Sequence, residues 1–396
     1  MQQSLVLVLN CGSSSIKFAI INPRSDENKL SGLIQRIGTE DASFQWSYDD
    51  EKQEKPLKNI DYQSAVDEIV TLIHQTNELD KQIVAIGHRV VHGGELFTKS
   101  ALIDNRVMDS IRTCSHLAPL HNPANITGIT SAQKAFPNLP QVAVFDTAFH
   151  QTMPKYAYIY AIPYEFYEEF GVRRYGFHGT SHLYVTNKAA EMLNKPITQS
   201  AFICAHLGNG CSATAVLNGK SVDTTMGLTP LEGLVMGTRS GDVDPSLHGY
   251  LADTLGYDVH KVTEILNKKS GLLGISGLNA DMRSITEAAE KQNERALLAA
   301  EIFCYRLAKY IMALMVPLGQ LDALIFTGGI GENAAIIRAK VIHWLKIINL
   351  ELDAKRNANH GKDSNGIITQ EGKTIAMVVP TNEELLIARD TLDIVS

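Results

Sequence analysis

Apolar residues fall in runs and alternations of strand length through the first fifty positions. Residues 4–10 form a continuous apolar run, 16–21 follow a glycine-serine turn, and 30–37 and Ser43–Tyr48 alternate. The period then changes: Val66, Ile69, Val70 and Ile73 predict a helix over 62–76. Strands follow at 82–91, ending in His88-Arg89-Val90-Val91-His92-Gly93-Gly94, and at Gln141–Phe145, ending at Asp146. A similar order returns in the second half. Ala201–Leu207 is apolar, Gly208-Asn209-Gly210 turns, and 212–217 is the next strand. Asn218-Gly219 is a hairpin signal leading to a third strand at 220–225. Helices are predicted over 259–266, 285–292 and 296–315. A strand at 324–327 then runs into Gly328-Gly329-Ile330-Gly331-Glu332-Asn333, and the following helix carries Ile336, Ile337, Val341 and Leu345 on its apolar face. A strand at 374–379 and a helix at 382–392 close the chain. Two halves that each run strand, glycine turn, strand, hairpin, strand predict an internally duplicated α/β protein. The boundary is expected near 148–160, where Met153-Pro154 and several tyrosines interrupt the pattern.

Composition narrows the class. The 396 residues are 44% hydrophobic and 20% charged, as in a soluble globular protein with filled cores. A net charge of −7 with both signs interspersed argues against nucleic acid or a membrane surface as partner. An anionic substrate would have to be met by local positive groups. Cysteines at 11, 114, 204, 211 and 304 are odd in number and lack C-x-x-C spacing, so neither a disulfide framework nor a zinc site is expected, and reduced thiols fit the cytoplasm. The run 5–9 lacks a basic flank and reads as a strand rather than a signal sequence. Glu301, Arg306 and Lys309 interrupt the apolar stretch 296–316, which reads as a buried helix and not a membrane span.

Glycine turns between strands let backbone N–H groups approach an anion, because no Cβ intervenes and φ can be positive. Three occur: Gly12 with Ser13 to Ser15, Gly208 to Gly210, and Gly328 to Gly331. Two also fit G-x-G-x-x-A. The pattern at Gly208–Ala213 is followed by a strand rather than a helix, whereas Gly329–Ala334 lies between strand and helix and is the stronger case for a dehydrogenase. It falls late in the chain, where a dinucleotide fingerprint would open its domain. No G-x-x-x-x-G-K-[ST] is present. The pairs His88/His92 and His178/His182 have a metal-like spacing, but adjacent glycines argue against the helix such ligands need.

Asn10-Cys11-Gly12-Ser13-Ser14-Ser15-Ile16-Lys17 resembles a signature of the acetate kinase family. So do Gly87 to Gly94, Phe145 to His150, and Arg174-Tyr175-Gly176-Phe177-His178-Gly179-Thr180-Ser181-His182. Further matches at His206–Gly210, Gly237–Asp242, Asp281–Arg283, Gly328–Asn333 and Thr381–Glu384 extend the resemblance over essentially the whole chain. The resemblance implies the superfamily of sugar kinases, Hsp70 and actin, with two ribonuclease-H-like domains and an interdomain nucleotide cleft. An acyl-substrate-side domain is expected at 1–149 plus 383–396, and a nucleotide-binding domain at 150–382. The implied reaction is reversible, Mg²⁺-dependent (or Mn²⁺-dependent) phosphoryl transfer from ATP to acetate, giving acetyl phosphate and ADP, in a cytoplasmic homodimer. A dehydrogenase and a non-catalytic nucleotide-binding module remain as alternatives.

Residue by residue, the resemblance gives Asp146, His178 and Arg239 catalytic positions and Arg89 the substrate carboxylate. Planar guanidinium groups suit both carboxylate and phosphate. Val91, Leu120, Phe177 and Pro230 match acyl-methyl contacts. ATP-facing positions are Lys17, His206, Leu207, Gly208, Asn209, Gly210, Asp281, Met282, Arg283, Gly329, Ile330, Gly331, Glu332 and Asn333. Asn10 and Glu383 match the metal position. Thr381 and Glu384 fit a capping box, which leaves Glu383 without a structural explanation. A carboxylate acceptor needs no deprotonation near neutral pH, so Asp146 is expected to align an arginine or handle a phosphate proton.

Overall fold

A computed structural model describes residues 4–76, 79–119 and 121–396. They divide into two compact units, Met1–Gln151 with Asn382–Ser396, and Thr152–Thr381. The first is built on β1 (Leu5–Cys11), β2 (Ser15–Asn22), β3 (Glu27–Gln35), β4 (Ser43–Tyr48), β5 (Glu51–Pro56), β6 (Ile83–Val90), β7 (Ala101–Leu102) and β8 (Gln141–Phe145). Their order in the sheet is β5-β4-β3-β2-β1-β6-β8-β7. β1, β2 and β3 are antiparallel neighbours, while β1–β6 and β6–β8 are parallel.

The unbroken apolar run of β1 follows from burial on both faces. Leu5, Leu7 and Leu9 join a core with Ile16, Phe18 and Ile20 and with Val66, Ile69 and Ile73 of the helix Tyr62–Gln75. On β6, Gly87 lies under the C-terminal helix Glu383–Val395. A Cβ at Gly87 would stand 2.4 Å from Thr391 Oγ1 and 2.7 Å from Ile387 Cγ2. Gly87→Val should therefore displace that helix and cost about 1–3 kcal/mol, as overpacking of a filled interior does. Thermal unfolding checks this, and an unchanged Tm would contradict it.

The second unit is built on β9 (Ala201–Leu207), β10 (Cys211–Leu217), β11 (Lys220–Thr224), β12 (Ala323–Thr327) and β13 (Ile375–Val378), ordered β11-β10-β9-β12-β13. β9, β10 and β11 are antiparallel, and β9–β12 and β12–β13 are parallel. That is the order and sense of β3-β2-β1-β6-β8. The duplication read from the pattern is thus a duplication of topology. With β9, β10 and β11 antiparallel, the sheet also departs from the mostly parallel βαβ frame of a dinucleotide fold.

The helix Glu294–Leu318 buries Ala296, Phe303, Leu307, Ile311 and Leu314, and among the described residues no helix is long and apolar enough to cross a membrane. All five cysteines are free and buried, and burial raises their thiols, Cys11 to about 11 and Cys211 to about 12. The sequence offers Thr180 or Ser181 as the cap of the helix after His178, and Thr381 as the cap of the last helix; the structure corrects both. The helix Gly179–Met192 starts at His178, in the left-handed region with φ 56, so Thr180 and Ser181 lie inside its first turn. The last helix is capped by Asn382, whose side chain accepts from Leu385 N, and not by Thr381.

Candidate active site

Parallel strands place their carboxyl ends together, and in the first unit those ends carry the candidate side chains. Asn10 on β1 lies opposite Lys17 of β2 and opposite Arg89 of β6. Asp146 follows β8, and its N–H donates to Val90 O at 3.0 Å. Arg89 grips Asp146 with two parallel bonds, Nε to Oδ1 at 3.0 Å and Nη2 to Oδ2 at 2.6 Å. Its Nη1 reaches Asn10 Oδ1 at 3.3 Å, and Glu383 stands 3.9 Å from its Nε. Burial works to lower the Arg89 pKa, but Asp146 and Glu383 outweigh it and raise the group above its ordinary value. Burial pushes Glu383 up to about 7 against the pull of Arg89, with Asp146 adding to the rise. Lys17 pairs with Glu384, so the residue that sequence reasoning gave to a cap instead holds a lysine. Val91 is buried beyond β6, its N–H donating to Asn125 Oδ1 at 3.1 Å; Leu120 lies outside the described residues.

In the second unit, the turn between β9 and β10 is the meeting point. A Cβ at Gly210 would lie 3.4 Å from both Arg239 Nη1 and His178 Nε2. His178 Nδ1 shares a bond of 2.9 Å with Ser212 Oγ, and His182 Nε2 approaches the same hydroxyl at 2.8 Å. The two histidines thus meet over a serine, and among the described residues no group of three or more His, Cys, Asp or Glu is placed to hold a metal. The His88/His92 spacing fails too, because His88 Nε2 bonds Gln141 Oε1 at 2.8 Å and Gly94 N donates to His92 Nδ1 at 3.0 Å. The His206 ring lies 4.4 Å from that of His178, and its Nδ1 bonds Ser181 Oγ at 2.8 Å. Arg239 Nη1 donates to Pro230 O at 3.0 Å, and burial lowers its pKa. Phe177 is buried beside His178 in sequence.

A cleft of about 600 Å³ opens alongside, lined by Gly208, Asn209, Asp281, Met282, Arg283, Gly329, Ile330 and Asn333, with Ala280, Thr286, Ala334, Ala335 and Ile336. That is a nucleotide-sized space with apolar walls and backbone N–H groups. Ile336, read as part of a helix's buried face, is 42% exposed and faces this cleft instead. An apolar residue standing out of register with Ile337 and Val341 was the signal. Other predicted ATP-side residues are placed differently. His206, Leu207 and Gly210 belong to the strands and turn beneath it, Lys17 belongs to the first unit, and Gly331 is buried against Phe326. Glu332 turns its carboxylate back to the backbone, accepting from Gly328 N at 3.0 Å and Thr381 N at 3.1 Å. Asp281 caps the helix Met282–Glu290 by accepting from Arg283 N at 3.0 Å. The third glycine segment is a correction: Gly328–Asn333 is a short helix and not a turn, and of the glycines in the three segments only Gly328 has a positive φ, +75, where a Cβ would meet Leu207 O at 2.8 Å.

The oxygens of the first unit that could hold a hard cation are those of Asn10 and Glu383, and here Asn10 Oδ1 accepts from Arg89 Nη1. Mg²⁺ with a nucleotide takes only one or two oxygens from the protein and fills the rest with water and phosphate.

Comparison with known proteins agrees along the whole length. A sequence model of the acetokinase family matches residues 5–389. The acetate kinase of Shewanella sp. (strain W3-18-1) is 55% identical over 398 residues, covering 100% of both chains. Among solved structures, a propionate kinase from Francisella tularensis is 50% identical with a TM-score of 0.95, covering 98% of this chain and 99% of its own. Porphyromonas gingivalis acetate kinase is 41% identical with a TM-score of 0.92, covering 99% and 100%. With two duplicated sheets, an arginine–aspartate pair and a nucleotide-sized cleft in place, this chain belongs to the acetokinase family.

Proposed function

We propose that the chain catalyses reversible transfer of the γ-phosphoryl group of ATP to acetate, giving acetyl phosphate and ADP. A carboxylate oxygen of acetate forms the new P–O bond as the bond to the β–γ bridging oxygen breaks. The observation that carries this reading is the convergence of Arg239 and His178 over Gly210, beside the 600 Å³ cleft. Phosphoryl transfer asks a protein for alignment and for positive groups around the equatorial oxygens, and little else. Arg239 and the His178 N–H supply those groups, where they offset charge that develops in the transition state. Adenosine takes the apolar cleft at Ile336 and Met282, and the phosphates take the Gly208–Gly210 turn and the glycines of the helix Gly328–Asn333.

Arg89 receives the acetate carboxylate. Asp146 holds its guanidinium in plane and acts as an anchor, since acetate has no proton to lose near neutral pH. Asn10 and Glu383 would hold Mg²⁺, or Mn²⁺, whose charge neutralises the phosphate oxygens when it is bound. The first unit is thereby the acyl side and the second the nucleotide side. The family resemblance adds a homodimer working in the cytoplasm, with small-molecule partners only.

Propionate is the second reading, because one of the similar structures is a propionate kinase. One methylene discriminates by only about 1–3 kcal/mol, so both acids should react with acetate ahead. Trapping the product with hydroxylamine as its hydroxamate, across formate, acetate, propionate and butyrate, orders them. Loss of the whole series would overturn the function. For Val91→Ala the expected result is a shift of the acetate/propionate ratio toward propionate of about 10-fold, the worth of about one methylene; an unchanged ratio removes Val91 from the acyl pocket.

A further inference from the structure

Arg174 opens the most distinctive sequence motif of the chain, yet the reaction as described gives it no task. Its Nη2 donates to Glu232 Oε1 at 2.6 Å, and its Nη1 donates to the carbonyls of Thr224 at 3.0 Å and Thr225 at 3.1 Å. The other oxygen of Glu232 accepts from Tyr160 OH, which itself accepts from Leu228 N at 2.8 Å. Glu232 therefore sits inside a closed set of bonds at the base of the loop that carries Pro230 and Arg239.

The packing around that set leaves no slack. A Cβ at Gly227 would lie 1.7 Å from Glu232 Oε2 and 2.3 Å from Tyr160 OH. Gly233, the next residue after Glu232, has φ +102, and its N–H donates to Asp242 Oδ1 at 2.7 Å. Tyr310 bonds the second oxygen of Asp242. The loop from 227 to 242 is thus held at Glu232 along its length and at Asp242 at its far end. Within it the Pro230 carbonyl and Met236 Sδ accept from Arg239 Nη1, at 3.0 and 3.8 Å. On the other side, Arg174 is followed within four residues by His178, and Tyr175 N donates to Gly227 O at 3.1 Å. The Arg174–Glu232 pair joins the segment presenting His178 to the loop presenting Arg239.

The geometry points to Glu232, held by Arg174 and Tyr160, as a positioning residue that fixes the Arg239 guanidinium beside His178 for phosphoryl transfer. The inference rests on the role given to Arg239 above. A misplaced charge loses transition-state stabilisation without losing ground-state binding, because the two states differ in how tightly they need it. Glu232→Gln keeps the size and removes the charge-assisted bond to Arg174. It should lower kcat about 10- to 100-fold with the ATP KM within about twofold.

A double-variant cycle tests the assignment. If Glu232 acts through Arg239, adding Glu232→Gln to Arg239→Ala should cost little further turnover, the mark of coupled residues. Full additivity of the two losses would overturn the proposal. Should Arg239→Ala alone keep near-native turnover, it is the role of Arg239 that fails, a different and recognisable outcome. Arg174→Lys should retain more turnover than Arg174→Met at equal Tm. Tyr160→Phe, a milder loss of two hydrogen bonds, keeps the test open where Glu232→Gln does not fold. A drop in Tm with kcat unchanged in that variant would assign the cluster to stability alone and overturn the proposal.

Discussion

Arg239→Ala is expected to lower kcat about a thousandfold while the affinity for Mg·ADP stays within a few-fold. The reasoning is differential binding. Arg239 approaches the Gly210 turn through Nη1 and is held from behind by the Pro230 carbonyl, so its fork is fixed before substrate arrives. A preorganised cation aimed at the equatorial oxygens gains most when charge shifts onto them, and such groups are worth about 10³–10⁵ in related phosphoryl transfers. In the proposed function, ground-state affinity comes instead from the cleft walls at Met282, Ile330 and Ile336, which the substitution leaves in place. Calorimetric titration with Mg·ADP and steady-state turnover separate the two. Equal losses in both would show that Arg239 binds nucleotide uniformly and would remove it from the transition state.

The second large effect concerns Arg89. Arg89→Ala should reduce kcat/KM for acetate by about 10²- to 10³-fold, since the fork that grips a carboxylate is gone. It should also cost stability, because Asp146 is 1% exposed and would be left as a buried carboxylate without its bidentate partner. Breaking a buried pair from one side costs on the order of 3 kcal/mol. Removing the charge from both sides, in Arg89→Ala with Asp146→Asn, should restore most of the Tm and none of the activity. That contrast separates the structural work of the pair from its chemical work. Recovery of turnover along with Tm would mean that Arg89 serves only to neutralise Asp146.

The strands themselves and their duplication were legible because the apolar pattern has a simple physical source. β1 and β9 are covered on both faces and read as continuous runs, and each is followed by a glycine turn and an antiparallel partner. β5 was not legible, since Glu51–Pro56 is an exposed edge strand of charged residues with no period to detect. The helix Asn122–Ala135 escaped for another reason: its buried residues are mostly polar or small, Asn122, Asn125, Gly128, Ser131 and Ala132, with Ile129 the large apolar group among them. Those asparagines bond backbone around Val91 and His92, so polarity there serves the site and hides the helix.

The chemistry was legible in residue type and partly misleading in orientation. Arg89 and Asp146 lie 57 positions apart, and nothing in spacing says that they pair; adjacent parallel strands bring them together. Glu332 follows glycines that suggested a turn in contact with nucleotide, yet it stands in the short helix Gly328–Asn333 and its carboxylate accepts from Gly328 N and Thr381 N. Ile336 went the other way, from supposed core to the wall of the cleft. Such inversions occur because a single helical residue shifts face with a rotation of about 100° per position, which a pattern of apolar letters resolves poorly near a helix start.

The central claim is that the γ-phosphoryl group passes directly to a carboxylate. Phosphorus NMR of the protein with Mg·ATP and acetate reads that transfer without a coupling enzyme. An acyl phosphate resonance should grow in step with ADP, and it should vanish when acetate is omitted. Appearance of inorganic phosphate alone, or an ATP spectrum unchanged by acetate, would contradict the account.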